Sequence, residues 1–160
     1  YRLAPNKNLG QNFLIDDNII KKITQALNCD GKRVLEIGPG LGAISREIVK
    51  YSRYYIAVEI DKGFVNYLLD SFSADGVSII HGDFLKLKID DDFDIIVSNL
   101  PYYCASEILF RIATLGGIIT VVVAGQNLFH AFPGGDHGTG QQVPLLPLEL
   151  IEQDGGLQSE

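Results

Sequence analysis

The stretch Val34-Leu35-Glu36-Ile37-Gly38-Pro39-Gly40-Leu41-Gly42 limits what this chain can fold into more than any other. Val34, Leu35 and Ile37 are apolar and β-favouring, and the three glycines follow without a polar spacer, so the run reads as a buried strand entering a tight turn. Residues 43–51 then place Ile44 and Ile48 at helical spacing. Glycine takes positive φ and lets a ligand approach bare backbone, and the helix that follows opens with N–H groups that have no partner inside it. Glu59 lies 17 residues past Gly42, at the end of a second predicted strand, 54–60. An acid about 20 positions beyond such a turn is placed to accept hydrogen bonds from ribose hydroxyls. The spacing Gly-Pro-Gly-Leu-Gly differs from the Gly-x-Gly-x-x-Gly that closes around a pyrophosphate. Glu36, two residues before the first glycine, is expected to repel a phosphate. A nucleoside with a cationic, phosphate-free end fits better, and S-adenosylmethionine (SAM) is such a molecule. A plain structural strand–turn–helix is the competing reading.

Length and composition narrow the class. A chain of 160 residues is one domain by size, and 46% apolar with 21% charged residues is ordinary for a globular protein. Cys29 and Cys104 form no Cys-x-x-Cys and read as reduced thiols of a cytoplasmic or organellar compartment. No apolar run approaches the roughly 20 residues that cross a bilayer, and the first residues lack the apolar centre of a secretion signal. No membrane partner is therefore expected. The chain has no methionine, which suggests a processed, trimmed or incomplete product. Charge is lopsided: residues 1–53 hold nine Lys/Arg against five Asp/Glu, and residues 54–160 hold four against 15. The basic first third could meet phosphate, although solvated helix faces account for Lys21, Lys22 and Lys50 equally well.

In chain order, Asp16 or Asp17 caps a helix whose Ile19, Ile20, Ile23 and Leu27 share a face. A helix over residues 61–72, a third strand over 77–80, a fourth over 93–97, a helix containing Ile108, Leu109 and Ile112, and a fifth strand over 118–124 follow. This alternation predicts an α/β, doubly wound, mainly parallel Rossmann-like sheet. Gly82-Asp83-Phe84 follows the third strand. An Asp at the carboxyl end of a parallel strand lies on the ligand side and could accept from an adenine amino group; as a turn residue it is equally well explained. After the fourth strand, Ser98-Asn99-Leu100-Pro101-Tyr102 presents Asn99 and Tyr102 at the edge of the sheet, because Pro101 holds its neighbours extended.

Methyl transfer from a sulfonium needs a nucleophile aligned behind the carbon and little else. An adenine amine is a poor nucleophile because its lone pair is delocalised into the ring. Accepting its two N–H bonds with the Asn99 side-chain carbonyl and a Leu100 or Pro101 backbone carbonyl localises that pair, an oxyanion hole with the partial charges reversed. Tyr102 would stack on a base that is single-stranded or flipped out.

Taken together, Gly10-Gln11-Asn12-Phe13-Leu14, the 36–42 turn, Glu59-Ile60-Asp61, Gly82-Asp83 and Asn99-Leu100-Pro101-Tyr102 resemble the ribosomal RNA adenine N6-dimethyltransferases, in particular the small-subunit type. The resemblance runs from about residue 5 to residue 124. It implies dimethylation of two adjacent adenosines of small-subunit rRNA during ribosome maturation, with SAM as cofactor, the small-subunit precursor as partner and no metal. It further implies that Asn12, Leu14, Gly38, Gly40, Glu59, Ile60, Asp83, Phe84 and Asn99 contact SAM, and that Asn99, Leu100, Pro101 and Tyr102 form the acceptor site. The large-subunit rRNA adenine methylases are a related alternative, more often with Ile at the position of Leu100. A non-catalytic assembly factor or mitochondrial transcription-type factor on the same fold is another.

By this reading residues 1–30 are an N-terminal arm and helix, 31–124 the SAM-binding core, and 125–160 an atypical Gly/Pro-rich tail. The family's basic helical rRNA-binding domain is not recognisable: residues 112–160 contain no Lys or Arg. His130, Asp136 and His137 could be imagined as a metal cluster, but the stretch Gly134 to Gly140 reads as a flexible turn and no metal is expected. If the tail is foreign to the family, strands six and seven are missing, the sheet exposes an edge, and poor stability or dimerisation through that edge is expected. A cooperative, monomeric thermal melt would count against this expectation.

Overall fold

Strand β1 (Arg33–Ile37) is buried along nearly its whole length, and its alternate residues feed two different core layers. Val34 joins Tyr55, Ala57, Ile95 and Val97 on one face of the sheet, beneath Ile23 and Leu27 of helix α1 (Asp17–Leu27) and Ile48 of α2 (Ser45–Tyr51). Leu35 and Ile37 join Val58 and Ile96 on the other face, beneath Ile108 and Ile112 of α4 (Tyr102–Ile112). A parallel strand covered on both faces must be apolar in both phases, and the run Val34-Leu35 meets that demand. The computed structural model describes residues 17–89, 92–100, 102–112, 115, 118–123 and 128–133.

The remaining elements are β2 (Tyr54–Glu59), α3 (Lys62–Ser71), β3 (Val77–His81), β4 (Ile95–Leu100), β5 (Ile118–Val123) and β6 (Leu128–Pro133). They form a six-stranded sheet of order β3-β2-β1-β4-β5-β6. All neighbours are parallel except β5 and β6. From β1 the chain steps outward through β2 to β3, then returns to the other side of β1 as β4. Strand order reverses between β1 and β4, and in open sheets of this kind ligands lie beyond the carboxyl ends of the strands at that reversal. The predicted doubly wound, mainly parallel sheet is therefore the observed one.

Some boundaries differ from the sequence reading. Strand β4 begins at Ile95 and continues through Leu100, because Ser98, Asn99 and Leu100 keep their register with Val121, Val122 and Val123. Phe93 is a core residue that precedes the strand. The edge expected beyond β5 is paired: β6 lies antiparallel to it, from Ile118 opposite Pro133 to Val123 opposite Leu128. A proline at the end of an outer strand costs no ladder bond on its solvent side. Helix α1 shares the first core layer with β1, β2 and β4.

One carboxyl group is enclosed within the first layer. Glu36 is 2% exposed, and its Oε2 accepts hydrogen bonds from Ser45 Oγ at 2.7 Å and Tyr55 Oη at 2.6 Å. These bonds tie β1 to the first residue of α2 and to β2. Burial pushes the Glu36 carboxyl up to about 7, against the lowering effect of its two hydroxyl partners. The expected repulsion of phosphate by Glu36 is thus corrected, because its carboxyl is turned into the core and occupied there. Cys29 is buried in the same layer, and burial pushes its thiol up to about 11, which suits an inert, reduced cysteine.

Gly42 closes the turn against α3. Its φ is +70°, and a Cβ built on it would lie 2.7 Å from the Phe72 ring and 3.1 Å from Leu68. Gly42→Ala is expected to cost about 2–4 kcal/mol through left-handed backbone strain and overpacking, read as a lowered urea midpoint. Glu36 generates a pH prediction. Between pH 4.5 and about 7 the folded chain retains a proton that the unfolded chain has released, so stability falls as pH rises through that window and levels off above it. The contribution is about 3 kcal/mol at most. Glu36→Gln keeps an acceptor for Ser45 and Tyr55 and is expected to flatten the slope in urea titrations at pH 5 and pH 8. An unchanged slope would remove Glu36 from the account.

Candidate active site

Register places the two informative motifs side by side. Ile37 at the end of β1 is opposite Val58 of β2 on one side and Ser98 of β4 on the other. One residue further along, Glu59 and Asn99 flank Gly38, whose N–H donates to the Val58 carbonyl at 2.9 Å. Ser98 Oγ donates to the Ile37 carbonyl at 2.8 Å and pins β4 to β1 just before the turn. Glu59, the last residue of β2, and Asn99, the penultimate residue of β4, therefore lie at the same rim, on the two strands that flank β1. Strand β4 is an inner strand, so Asn99 stands at the sheet's carboxyl rim and not at a lateral edge.

The glycine turn is held from two directions. Gly38 has φ +67° and Gly40 φ +57°, values that an L side chain adopts only with strain. Among the described residues, a Cβ on Gly38 would meet nothing within 4 Å, so they leave the space in front of it open at the rim. Gly42 N–H donates to the Pro39 carbonyl at 2.9 Å and folds the turn onto itself. From the neighbouring strand, Glu59 Oε2 accepts the Gly40 N–H at 3.0 Å, and Oε1 accepts the Asp61 N–H at 2.9 Å. Asp61 in turn caps α3, its Oδ1 accepting from Gly63 and Phe64. Glu59 is only 3% exposed, and burial raises its carboxyl above the usual range while the backbone donors of Asp61 and Gly40 pull it down. The Ile60 backbone N–H adds a smaller lowering effect, and a carboxylate oxygen can accept two hydrogen bonds.

Ile60, next along, is 54% exposed, an apolar surface at the ligand end of the sheet. His81, at the end of β3, places Nε2 3.2 Å from the Ile60 carbonyl. Asp83 is half-buried in the turn that follows. Its Oδ1 accepts the Leu85 N–H at 3.0 Å and its Oδ2 pairs with Lys86 Nζ at 3.1 Å. The Lys86 hydrogen bond is the main reason its carboxyl lies below the ordinary value. Asp83 thus shapes its own turn, and it sits at the carboxyl rim of the sheet. Phe84 is 4% exposed, and its side chain packs in the second core layer. The backbone of Asn99 and Leu100 lies on β4, and that of Tyr102 opens α4. Asn12, Leu14, Pro101, Asp136 and His137 lie outside the described residues.

Ser45, Tyr55 and Arg111 went unnoticed in the sequence. Their type is unremarkable at helix and strand positions, and a partner for a buried Glu36 was the only cue that could have found the first two. Among the described residues no group of three or more His, Cys, Asp or Glu side chains could hold a metal ion, and no helix is long and apolar enough to cross a membrane.

The sequence profile of the ribosomal RNA adenine dimethylase family matches residues 2–129. A ribosomal RNA small subunit methyltransferase A from Mycoplasma mobile is 47% identical over 107 residues, which cover 66% of this chain and 42% of that protein. The crystal structure of the 23S rRNA methyltransferase ErmE superposes with a TM-score of 0.62 at 27% identity, over 69% of this chain and 47% of that one. A SAM-dependent methyltransferase from Thiobacillus denitrificans, solved with S-adenosyl-L-homocysteine, shares the fold with a TM-score of 0.57 at 20% identity, over 66% and 48%. The chain spans less than half the length of the curated relatives it matches. With its profile match over most of its length, the chain belongs to the ribosomal RNA adenine dimethylase family.

Proposed function

We propose that this chain is the cofactor-binding and catalytic part of a SAM-dependent methyltransferase that dimethylates the N6 amines of adjacent adenosines in small-subunit rRNA. The observation that carries this reading is the placement of Glu59 and Asn99 on either side of Gly38 at the β1/β4 reversal. The open space at Gly38 admits a ligand against bare backbone, and Ile60 offers an apolar surface for an adenine face. When bound, SAM supplies an electrophilic methyl group on a sulfonium.

In this reading the remaining lone pairs of the Glu59 carboxylate accept from the ribose hydroxyls. Asp83 and the Phe84 backbone would meet the adenine, and Gly38, Gly40, Asn12 and Leu14 would contact the cofactor, as the resemblance implies. Asn99 and a Leu100 or Pro101 carbonyl accept the N–H bonds of the target amine, and Tyr102 stacks on the displaced base. With SAM bound, the amine held by Asn99 would take its methyl as the bond to sulfur breaks, leaving a neutral thioether. The amine's proton is released to water, and the second transfer repeats the same step. The partner is the small-subunit rRNA precursor, as the names of the curated relatives suggest, in a cytoplasmic or organellar compartment. Any self-association through a sheet edge would use β3 or β6, the two outer strands.

Asn99→Ala is expected to lower methyl transfer to an rRNA fragment containing adjacent adenosines by about 10²–10³, the usual cost of removing one donor or acceptor aimed at developing charge. Transfer of a radiolabelled methyl group measures it. Wild-type activity in the variant would contradict the acceptor assignment. A non-catalytic assembly factor would lack transfer in both proteins.

A further inference from the structure

The turn that carries Asp83 is fastened to the helix that carries the acceptor motif. Residues 83–87 form a tight turn, with the Lys86 and Leu87 N–H groups donating to the Asp83 carbonyl at 2.9 and 3.1 Å. Its far end is held by Arg111 of α4, whose guanidinium donates to the Leu87 carbonyl. The same guanidinium lies 4.9 Å from the centre of the Phe84 ring, against its face. Beneath it, Phe84, Leu85 and Leu87 pack with Ile108, Leu109 and Ile112 in one core layer. Arginine suits this position because one planar group can stack on an aromatic ring and still donate at its rim, which a lysine ammonium does less well. Arg111 also contributes to the field that keeps Asp83 ionised, behind Lys86. Helix α4 starts at Tyr102, directly after the Asn99-Leu100-Pro101 segment, and Arg111 lies about 14 Å further along it.

We propose that Arg111 is a positioning residue: it clamps the 83–87 turn to α4 and so sets the adenine end of the cofactor site relative to the acceptor motif at the start of the same helix. The inference rests on the function proposed above. It makes no demand on contact between Arg111 and any ligand. Arg111 acts through Asp83 and the backbone of Phe84, so its loss weakens any ligand that carries the adenosine moiety, whatever is attached to its sulfur.

The test is calorimetric titration of the chain with S-adenosylhomocysteine and, separately, with 5′-methylthioadenosine, which lacks the amino-acid end. Arg111→Met is expected to weaken both ligands by a similar factor of about ten, the usual consequence of losing one charge-assisted hydrogen bond. Arg111→Lys, which keeps the charge and one donor, should fall between the variant and the wild type. Combined with Asp83→Asn, Arg111→Met should add little beyond the loss caused by Asp83→Asn alone, because both act through one turn. A general loss of stability would instead multiply the two effects. Wild-type affinity in Arg111→Met, or losses that multiply, overturns the proposal. If the Met variant does not fold, Arg111→Lys enters the same cycle with the same two criteria. Failure of the wild-type chain to bind either ligand is a different result: it overturns the methyltransferase reading, and this inference with it.

Discussion

Two hydrogen bonds to one buried side chain hold the carboxyl rim of this sheet in shape. Glu59 accepts the N–H of Gly40 in the glycine turn and the N–H of Asp61 at the start of α3. The turn after β1 and the helix after β2 are thereby referred to one carboxyl group at the end of β2. Gly40 has a positive φ that glycine adopts freely, so its backbone leaves more than one conformation open and a contact from outside the turn must choose among them. The Glu59 carboxylate does so through the bond it accepts from the Gly40 N–H.

That arrangement carries a cost, and the structure offsets it with neighbouring donors. Glu36 and Glu59 are both nearly inaccessible to water, and burial raises the pKa of each. Glu36 is answered by two hydroxyls, Glu59 by backbone N–H groups. Each buried acid left without such donors would destabilise the fold by several kcal/mol. Polar groups of this kind in a parallel sheet otherwise built from Val, Ile and Leu are retained where they hold something in place. Here Glu36 ties β1 to α2 and β2, and Glu59 holds the glycine turn.

The fold was legible because its strands announce themselves. Val34-Leu35 and Ile95-Ile96-Val97 are apolar in both phases, which only a doubly covered strand requires, and helical spacing of Ile20, Ile23 and Leu27 or of Ile108 and Ile112 gives the layers that cover them. The glycine turn and Glu59 were legible because their spacing implies a shape as well as a residue type. What the sequence could not convey was direction and pairing. Glu36 reads as an acid beside the ligand, yet strand alternation turns it to the α1/α2 face, where Tyr55 and Ser45 meet it. Phe84 follows an Asp at the rim and still points into the core. Strand β4 outruns its apolar segment because Ser98, Asn99 and Leu100 are paired by β5, a long-range contact that no local pattern encodes. The Arg111–Leu87 bond spans 24 residues and is invisible for the same reason.

The central claim is that one nucleoside site spans the carboxyl ends of β1, β2, β3 and β4, with Gly38 at its floor. An amide-resolved NMR titration of the isotopically labelled chain with S-adenosylhomocysteine tests it most directly. The account predicts that Gly38, Gly40, Ile60, Asp61, Asp83, Phe84 and Asn99 shift together along one binding curve, while Arg33, Tyr54 and Val77 at the opposite ends of the strands stay still. Saturable shifts that cluster at those opposite ends, with the rim amides unmoved, would contradict it.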